Sequence, residues 1–178
     1  MRLFLALRVS DLAESALAAV QSKLKVGRLT LPEQFHVTLA FLGDVGPGEA
    51  EELDATLSAM VLPAVRIEIA GIGHFGRGKP RLVYAAVTPD AALTALQGKV
   101  AQAARSAGIT VERRKFVPHV TLARLSGREE DAAAVASFAE GAGALRLPVE
   151  ASRHVVLYQS HLRPGGPVYD VLAEYPLG

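Results

Sequence analysis

Two of the five histidines in this 178-residue chain occur in the same tetrapeptide, His-Val-Thr-Leu, at His36–Leu39 and again at His119–Leu122. Side chains alternate between the two faces of a strand, so the histidine and threonine of each copy share one face. The valine and leucine share the other face, which is apolar enough to enter a core. The repeat therefore indicates two strands that each bring an imidazole and a hydroxyl to a common site.

Two imidazoles are sufficient for cleavage of a phosphodiester without a metal. One neutral ring accepts a proton from the attacking water or hydroxyl, while the other, protonated, gives a proton to the departing alkoxide. An ordinary histidine pKa of about 6.5 populates both forms near neutral pH. Hydroxyls at Thr38 and Thr121 can stabilise the charge on the non-bridging phosphate oxygens. We therefore predict catalytic roles for His36, His119 and the two threonines, with the order of acid and base left open.

Structural and metal-binding interpretations compete with this one. A single His-x-Thr is usually a packed or surface histidine, and it is the second copy in a matching position that favours function. The motif strands supply no neighbouring Asp, Glu or Cys, and two histidines without such a ligand make a poor metal site. We expect neither a metal nor another cofactor.

The elements that must position the histidines occur in the same order around each copy. The first half is predicted to contain a strand, a helix, a motif strand, a helix and a strand, over residues 2–9, 11–24, Phe35–Leu42, Gly48–Met60 and Arg66–Ala70. The second half repeats this order with a strand at Leu82–Val87, a helix capped by the sequence Thr88-Pro89-Asp90 with proline at its first position, the motif strand Phe116–Ala123 and a helix near Glu129–Phe138. Further strands are predicted at Arg146–Glu150, His154–Tyr158 and Val168–Ala173.

The spacing of these elements indicates an internal duplication. The two motif histidines are 83 residues apart, and the leucines that open the first strand of each half, Leu3 and Leu82, are 79 apart. Similar offsets are typical of a repeat with a few loop insertions. We predict one domain over residues 1–178, with halves at about 1–76 and 77–178. Within the first helix, Leu12, Ala16, Val20 and Leu24 have the spacing of an apolar stripe.

Composition excludes several functional classes. The formal net charge is +1, from 19 basic and 18 acidic residues, so a polyanion must be recognised by a local patch. Cysteine is absent, which excludes disulfides, zinc thiolate sites and cysteine nucleophiles. The apolar start of the chain is too short for a signal peptide, and no apolar stretch approaches the length of a membrane span. We expect a cytoplasmic monomer without a membrane partner.

Several local patterns carry weaker signals. The sequence from Gly71 to Gly76 fits G-x-G-x-x-G, but no helix is predicted after it, so we interpret it as a turn between the halves. The other histidines, His74, His154 and His161, are predicted to be structural or surface residues, although His161 could reach a cleft from the final turn.

Basic and aromatic residues also admit two interpretations. The groups 77–81 and 113–115 could guide an RNA backbone or could lie in solvated loops. The aromatic rings of Phe41, Phe75 and Phe116 could stack a base, but at 6% aromatic content we assign them to the core.

The segments Phe35–Gly43 and Phe116–Arg124, with Tyr158–Ser160 and Gly166–Tyr169 in the tail, resemble the two-histidine (2H) phosphoesterase superfamily. They are most similar to its RNA 2′,3′-cyclic phosphodiesterases, also called 2′-5′ RNA ligases. The resemblance spans nearly the whole chain and implies a bilobal, LigT-like α+β fold, in which the antiparallel sheets of two pseudo-symmetric halves face a central cleft.

The resemblance also implies an activity and residue roles. The expected reaction is hydrolysis of a terminal 2′,3′-cyclic phosphate of RNA, such as a tRNA-like fragment, to a 2′-phosphate, with 2′-5′ ligation as a side reaction. His36 would be the proton donor and His119 the acceptor, with Thr38 and Thr121 on the phosphate. Arg124 matches as a substrate contact, although strict alternation puts it on the opposite face unless the strand ends or bulges near Ala123.

Alternative functions remain open from the sequence. A related enzyme could act on 2′-5′ oligonucleotides or cyclic nucleotide-sugar phosphates. A binding module for RNA ends without chemistry is the non-enzymatic alternative.

Overall fold

The computed structural model describes residues 1–178. Its α-helices are α1 (Asp11–Gln21), α2 (Pro47–Ala59), α3 (Ala91–Ser106) and α4 (Ala132–Gly141), and two short 3-10 helices cover Pro32–Gln34 and Glu129–Asp131. Its strands are β1 (Arg2–Arg8), β2 (Arg28–Leu29), β3 (His36–Asp44), β4 (Val65–Ile67), β5 (Ile69–Phe75), β6 (Leu82–Val87), β7 (His119–Arg124), β8 (Glu150–Ser152), β9 (His154–Arg163) and β10 (Gly166–Pro176). None of the helices has the length and apolarity needed to cross a membrane.

The main sheet places the two motif strands side by side at its centre. Its antiparallel order is β10-β9-β1-β3-β7-β6-β5, with β2 added beside β7, and β4 and β8 form a separate pair. Strands β3 and β7 meet through one register pair, Val37 with Val120. Antiparallel pairing puts His36 beside Thr121, and Thr38 beside His119, on either side of that pair. The α+β fold with antiparallel sheets is confirmed.

Strands from the two predicted halves are exchanged within this sheet. The last long strand of the first half, β5, pairs with β6, while β9 from the second half pairs with β1. On either side of the boundary between β3 and β7, the sheet therefore contains strands from before and after residue 76. The division of the chain at that residue stays a prediction.

Helix α3 packs on the sheet through the apolar spacing of its sequence. Asp90 caps its first turn by accepting hydrogen bonds from the backbone of Ala92 and Leu93. The side chains at Leu93, Leu96 and Val100 are fully buried. Burial of such a side chain stabilises the fold by about 1.5–3 kcal/mol, so this stripe fixes the helix against the motif strand β3.

Helix α1 is rotated by one position from the predicted stripe. Its buried residues are Ala13, Leu17 and Gln21, whereas Leu12 is 66% exposed. The physical reason is the amide of Gln21, which is drawn inward by two hydrogen bonds to backbone carbonyls. A pattern based on hydrophobicity does not predict a buried glutamine.

Two further predictions are wrong. The segment from Gly71 to Phe75, interpreted as a turn, belongs to β5 and pairs with β6 across a register shift between Ile69 and Ile72. The strand predicted at Arg146–Glu150 is absent, since Arg146 makes only an isolated bridge with Ala70 and β8 begins at Glu150.

Candidate active site

One cavity of about 650 Å³ opens where β3 and β7 meet, and it brings together the side chains predicted from the sequence. His36 and Thr38 line it from β3, and His119 and Thr121 line it from β7. Arg124 lines the same cavity. The apolar members of each tetrapeptide point the other way, because Val37, Val120, Leu39 and Leu122 are all buried in the core.

Both imidazoles are oriented by the same local contact. The Nδ1 of His36 lies 2.6 Å from the carbonyl oxygen of Gln34, and that of His119 lies 2.7 Å from the carbonyl oxygen of Val117. A carbonyl can only accept, so Nδ1 carries the proton in the neutral ring and Nε2 is the nitrogen left for chemistry. The Nε2 of His36 lies 3.1 Å from the hydroxyl of Thr38.

Aromatic rings surround His36. Its ring centroid is 5.1 Å from that of Phe4, 5.7 Å from that of Tyr169 and 6.3 Å from that of Tyr158. Burial among these rings lowers the pKa of His36 to about 4, against the raising effect of the hydrogen bond to Gln34. Positive charge at His119 and Arg124 lowers this pKa further.

His119 has a less enclosed setting. Its ring centroid lies 5.2 Å from those of both Phe75 and Tyr84. Burial lowers the pKa of His119, the hydrogen bond to the Val117 carbonyl opposes this, and Arg124 lowers it again. Both rings are therefore mainly neutral in the empty cleft at pH 7, and an anion bound between them would raise both pKa values.

A bulge in β7 explains how Arg124 reaches the histidines. Thr121 pairs with Tyr84, and Ala123 pairs with Val83, which leaves Leu122 without a partner across the ladder. The extra residue reverses the alternation, so Arg124 returns to the face of His119 and Thr121. The bulge near Ala123 was one of the alternatives that the sequence left open.

Strand β3 contains the equivalent bulge. Thr38 pairs with Ala6 and Ala40 pairs with Leu5, so the unpaired residue is Leu39, the same position of the tetrapeptide. The bulge turns Phe41 out of the core, where it is 64% exposed and lines the cavity. Phe41 is thus the counterpart of Arg124 in the other motif strand.

The assignment of the three phenylalanines to the core is wrong for two of them. Phe41 and Phe75 line the cavity, and Phe75 is 38% exposed. Phe116 packs against the core as predicted. Phe41 faces the cavity because of the bulge in β3, and simple alternation along the sequence does not predict that bulge.

A helix glutamine donates to the backbone of each bulge. The Nε2 of Gln21 on α1 lies 2.7 Å from the carbonyl oxygens of Leu122 and Thr30. The Nε2 of Gln97 on α3 donates to the carbonyl of Leu39 at 3.3 Å. Each helix therefore supports the motif strand of the other half, and neither glutamine was found by sequence reasoning.

The cavity is lined by four arginines and by no acidic residue: Arg2, Arg28, Arg114 and Arg124. Among the basic groups noted in the sequence, only that at 113–115 contributes a lining residue, Arg114, which forms an ion pair with Glu112. His74 and His154 are exposed outside the cavity. His161 also lies outside it, with Nε2 2.8 Å from Asp170.

The arrangement suits an anionic substrate that undergoes proton transfer. Two Nε2 atoms and two hydroxyls face a cavity with a positive lining, and no three His, Cys, Asp or Glu side chains are grouped so as to hold a metal. Imidazoles supply acid and base, while hydroxyls and guanidinium groups stabilise developing charge.

Comparisons with known proteins agree with this geometry. The sequence-family model of the 2′-5′ RNA ligase superfamily matches residues 9–162 of this chain. An RNA 2′,3′-cyclic phosphodiesterase of Aeropyrum pernix is 36% identical over 144 residues, which cover 80% of this chain and 81% of that protein. One of Geobacillus stearothermophilus is 34% identical over 150 residues, 82% of this chain and 46% of that protein, so the match spans about half of that relative. The crystal structure of E. coli LigT complexed with 3′-AMP has the same fold, with a TM-score of 0.80 at 23% identity over 99% of this chain and 97% of that one.

Proposed function

The chain belongs to the 2′-5′ RNA ligase superfamily of two-histidine phosphoesterases, and within it we propose that this protein hydrolyses the terminal 2′,3′-cyclic phosphate of RNA to a 2′-phosphomonoester. The observation that carries the proposal is the convergence of His36 and His119 on one arginine-lined cavity, each with Nδ1 fixed and Nε2 available. The names of the Aeropyrum and Geobacillus relatives support the choice of substrate.

In the proposed reaction, Nε2 of His119 accepts a proton from water as the water oxygen attacks phosphorus. The bond between phosphorus and O3′ breaks, and Nε2 of His36 gives its proton to O3′. The products are a 2′-phosphate and a free 3′-hydroxyl, so protons and atoms balance. Thr38 and Thr121 donate hydrogen bonds to the non-bridging oxygens, and Arg124 offsets their negative charge.

The proposed roles of the histidines follow the family pattern, and they require the bound substrate to raise the pKa of His36. His36 has a pKa of about 4 in the empty cleft, so it is a proton donor only when the phosphate anion raises that pKa. His119 must remain neutral in the same complex. We place O3′ beside His36, where a protonated ring can serve the leaving oxygen, and the proposal requires the bound phosphate to raise the pKa of His36 more than that of His119.

The same geometry would permit 2′-5′ ligation as a side reaction. If a 5′-hydroxyl replaces water at His119, cleavage of the bond to O3′ leaves phosphorus joined to O2′ and O5′. The product is a 2′-5′ linkage. Both histidines and both threonines come from one chain, so no second subunit is needed to complete the site, and we propose a monomer. Its proposed substrate is RNA, and the cytoplasm is its expected location.

Product analysis tests the proposal directly. An oligonucleotide with a 2′,3′-cyclic phosphate, incubated with the protein in EDTA, should yield only the 2′-phosphate by phosphorus NMR and mass spectrometry. A 3′-phosphate product, or undiminished turnover in both His36→Ala and His119→Ala, would contradict it. A stable complex without product would favour the RNA-end binding module, and turnover restricted to 2′-5′ oligonucleotides or cyclic nucleotide-sugar phosphates would favour the related enzyme.

A further inference from the structure

Two arginines of the cleft have no role in the proposed chemistry. Arg2 and Arg28 line the cavity that holds the histidines, where no acidic residue is present. Neither forms an ion pair anywhere in the structure. Guanidinium groups that face a cavity without carboxylate partners are suited to an anionic ligand.

Arg28 lies next to Arg124, the proposed contact to the terminal phosphate. In the antiparallel pairing of β2 with β7, Arg28 lies directly opposite Arg124. Like charges directly opposite each other destabilise a sheet. Bound anions would remove this repulsion, and the opposed Cα atoms are only about 5 Å apart in such a pair.

The backbone around Arg28 is held firmly against the motif strand. The next residue but one, Thr30, donates from its backbone to the carbonyl of Leu122 at 2.9 Å. The carbonyl of Thr30 accepts from Gln21 at 2.7 Å. Arg28 is therefore fixed beside the bulge that directs Arg124 into the cleft.

Tyr169 marks the corner of the cavity where three of these charges act together. Burial raises the pKa of the Tyr169 hydroxyl, and the positive charges of Arg124, Arg28 and Arg2 each lower it. Tyr169 also lies edge-on to His36, with ring centroids 5.7 Å apart. The three guanidinium groups thus act on the same corner as the catalytic histidine.

We propose that Arg28, assisted by Arg2, binds the internucleotide phosphate that precedes the terminal cyclic phosphate, so that the cleft prefers an RNA strand to a single nucleotide. The inference rests on the proposed function, because it takes the terminal phosphate to lie at the histidines and Arg124. Two guanidinium groups on adjacent strands then serve two successive phosphates.

Binding of product-like ligands tests this without any need for turnover. Titration calorimetry would compare a nucleoside 2′-phosphate, a dinucleotide ending in a 2′-phosphate, and the same dinucleotide with an uncharged methylphosphonate linkage. The unaltered protein should bind the charged dinucleotide about tenfold more tightly than the other two, as expected for one charge-assisted contact. Arg28→Ala should abolish most of this difference, and Arg28→Lys should retain part of it.

The controls separate the subsite from general effects. Arg66 is an exposed arginine on β4 outside the cavity, so Arg66→Ala should leave the affinity ratio as it is. Because Arg28 is itself exposed, its replacement should not disturb folding, which a melting curve checks. Loss of one phosphate contact should also reduce the slope of log affinity against log salt by about 0.7.

Two results would overturn the inference. One is an equal loss of affinity for all three ligands in Arg28→Ala, and the other is an unchanged preference for the charged dinucleotide. Turnover of an oligonucleotide 2′,3′-cyclic phosphate by the unaltered protein, measured alongside, decides the proposed function separately. An active enzyme with either result refutes the subsite alone, whereas an inactive enzyme refutes the proposed function.

Discussion

Strands β3 and β7 carry the same tetrapeptide and the same bulge, but their histidines lie in different surroundings. His36 is enclosed by Phe4, Tyr158 and Tyr169, and its pKa falls to about 4. His119 lies in the more open half, near Phe75 and Tyr84. The shared backbone aims two identical rings at one cavity, and the unlike neighbours give those rings different proton affinities.

The residue that each bulge turns outward deepens this asymmetry. It is Phe41 on β3 and Arg124 on β7, and both line the cavity. Only the second carries charge, and it lowers the pKa of both histidines. An acid and base pair requires two rings that hold different protonation states, and the unlike neighbours provide a difference. In the empty cleft the more strongly lowered pKa is that of His36, the proposed donor, so the bound phosphate must reverse the order of the two pKa values.

Removal of either histidine is the largest expected perturbation of this pair. His36→Ala and His119→Ala should each lower kcat/KM for a 2′,3′-cyclic phosphate by about 10²–10⁴, the usual contribution of a positioned acid or base. A substrate with sulfur in place of O3′ needs no proton on its leaving group. His36→Ala should therefore recover activity on that substrate, while His119→Ala should not. Recovery by His119→Ala instead would reverse the roles of the two histidines.

The pH dependence is the next most sensitive test of the asymmetry. Both histidines have a pKa below the ordinary value of 6.5 in the free cleft, so both limbs of the kcat/KM profile should lie below pH 6.5. Above the upper limb, activity should fall about tenfold per pH unit, because the acid loses its proton. The profile of kcat should lie at higher pH, since bound phosphate raises both pKa values. A kcat/KM maximum above pH 7 would contradict this.

The same burial affects stability, with a sign that follows from the lowered pKa. The unfolded chain binds a proton at His36 near pH 6.5 and the folded chain near pH 4, so stability from this group is complete above pH 6.5 and is lost as the pH falls toward 4. Each pKa unit corresponds to about 1.4 kcal/mol. Urea unfolding between pH 7 and pH 4 should show a smaller loss of stability in His36→Ala than in the unaltered chain.

Substitution of the residues that the bulges turn outward, Arg124 and Phe41, should have a smaller effect on rate. Arg124→Ala should lower kcat/KM by about 10- to 100-fold, since a hydrogen bond to a charged group is worth about 1.5–3 kcal/mol. It should also move both limbs of the pH profile upward, because Arg124 lowers the pKa of both histidines. Phe41→Ala removes no charge and should leave the limbs in place. A shift of the limbs in Phe41→Ala would break the comparison.

Local sequence patterns predicted the parts of this site that depend on neighbours in the chain. Strand alternation placed His36 and Thr38 on one face, and the strand Leu82–Val87 was found where the structure has it. The helix start predicted at Thr88-Pro89-Asp90, with Pro89 as the first helical residue, lies two residues early, because Asp90 is the cap. Gln21 and Leu122 are 101 residues apart in sequence, so no local pattern reports their contact. Arg28 was missed for the same reason, since its partner Arg124 is distant in sequence. Phe41 was assigned to the core because alternation does not predict the bulge at Leu39.

Those long-range glutamine contacts provide the smallest and most specific test of the two halves. Gln21 is buried and donates to Leu122 and Thr30 at 2.7 Å, whereas the half-buried Gln97 makes one contact, to Leu39, at 3.3 Å. Gln21→Leu should lower the free energy of unfolding by about 2 kcal/mol, because it removes a buried hydrogen bond to Leu122 and leaves the part-buried carbonyl of Thr30 without its donor. Gln97→Leu should cost less than about 1 kcal/mol.

Activity well below the melting temperature separates support of the bulge from general stability. Gln21→Leu should lower kcat/KM several-fold more than Gln97→Leu, because the bulge at Leu122 directs the charged Arg124 while the bulge at Leu39 directs Phe41. Gln102 on α3 is an exposed glutamine that donates only to Ser106, so Gln102→Leu is the matched control and should change neither quantity. Equal losses of kcat/KM in the Gln21 and Gln97 variants would mean that the two bulges contribute alike, and that the charge at Arg124 is positioned by contacts other than the amide of Gln21.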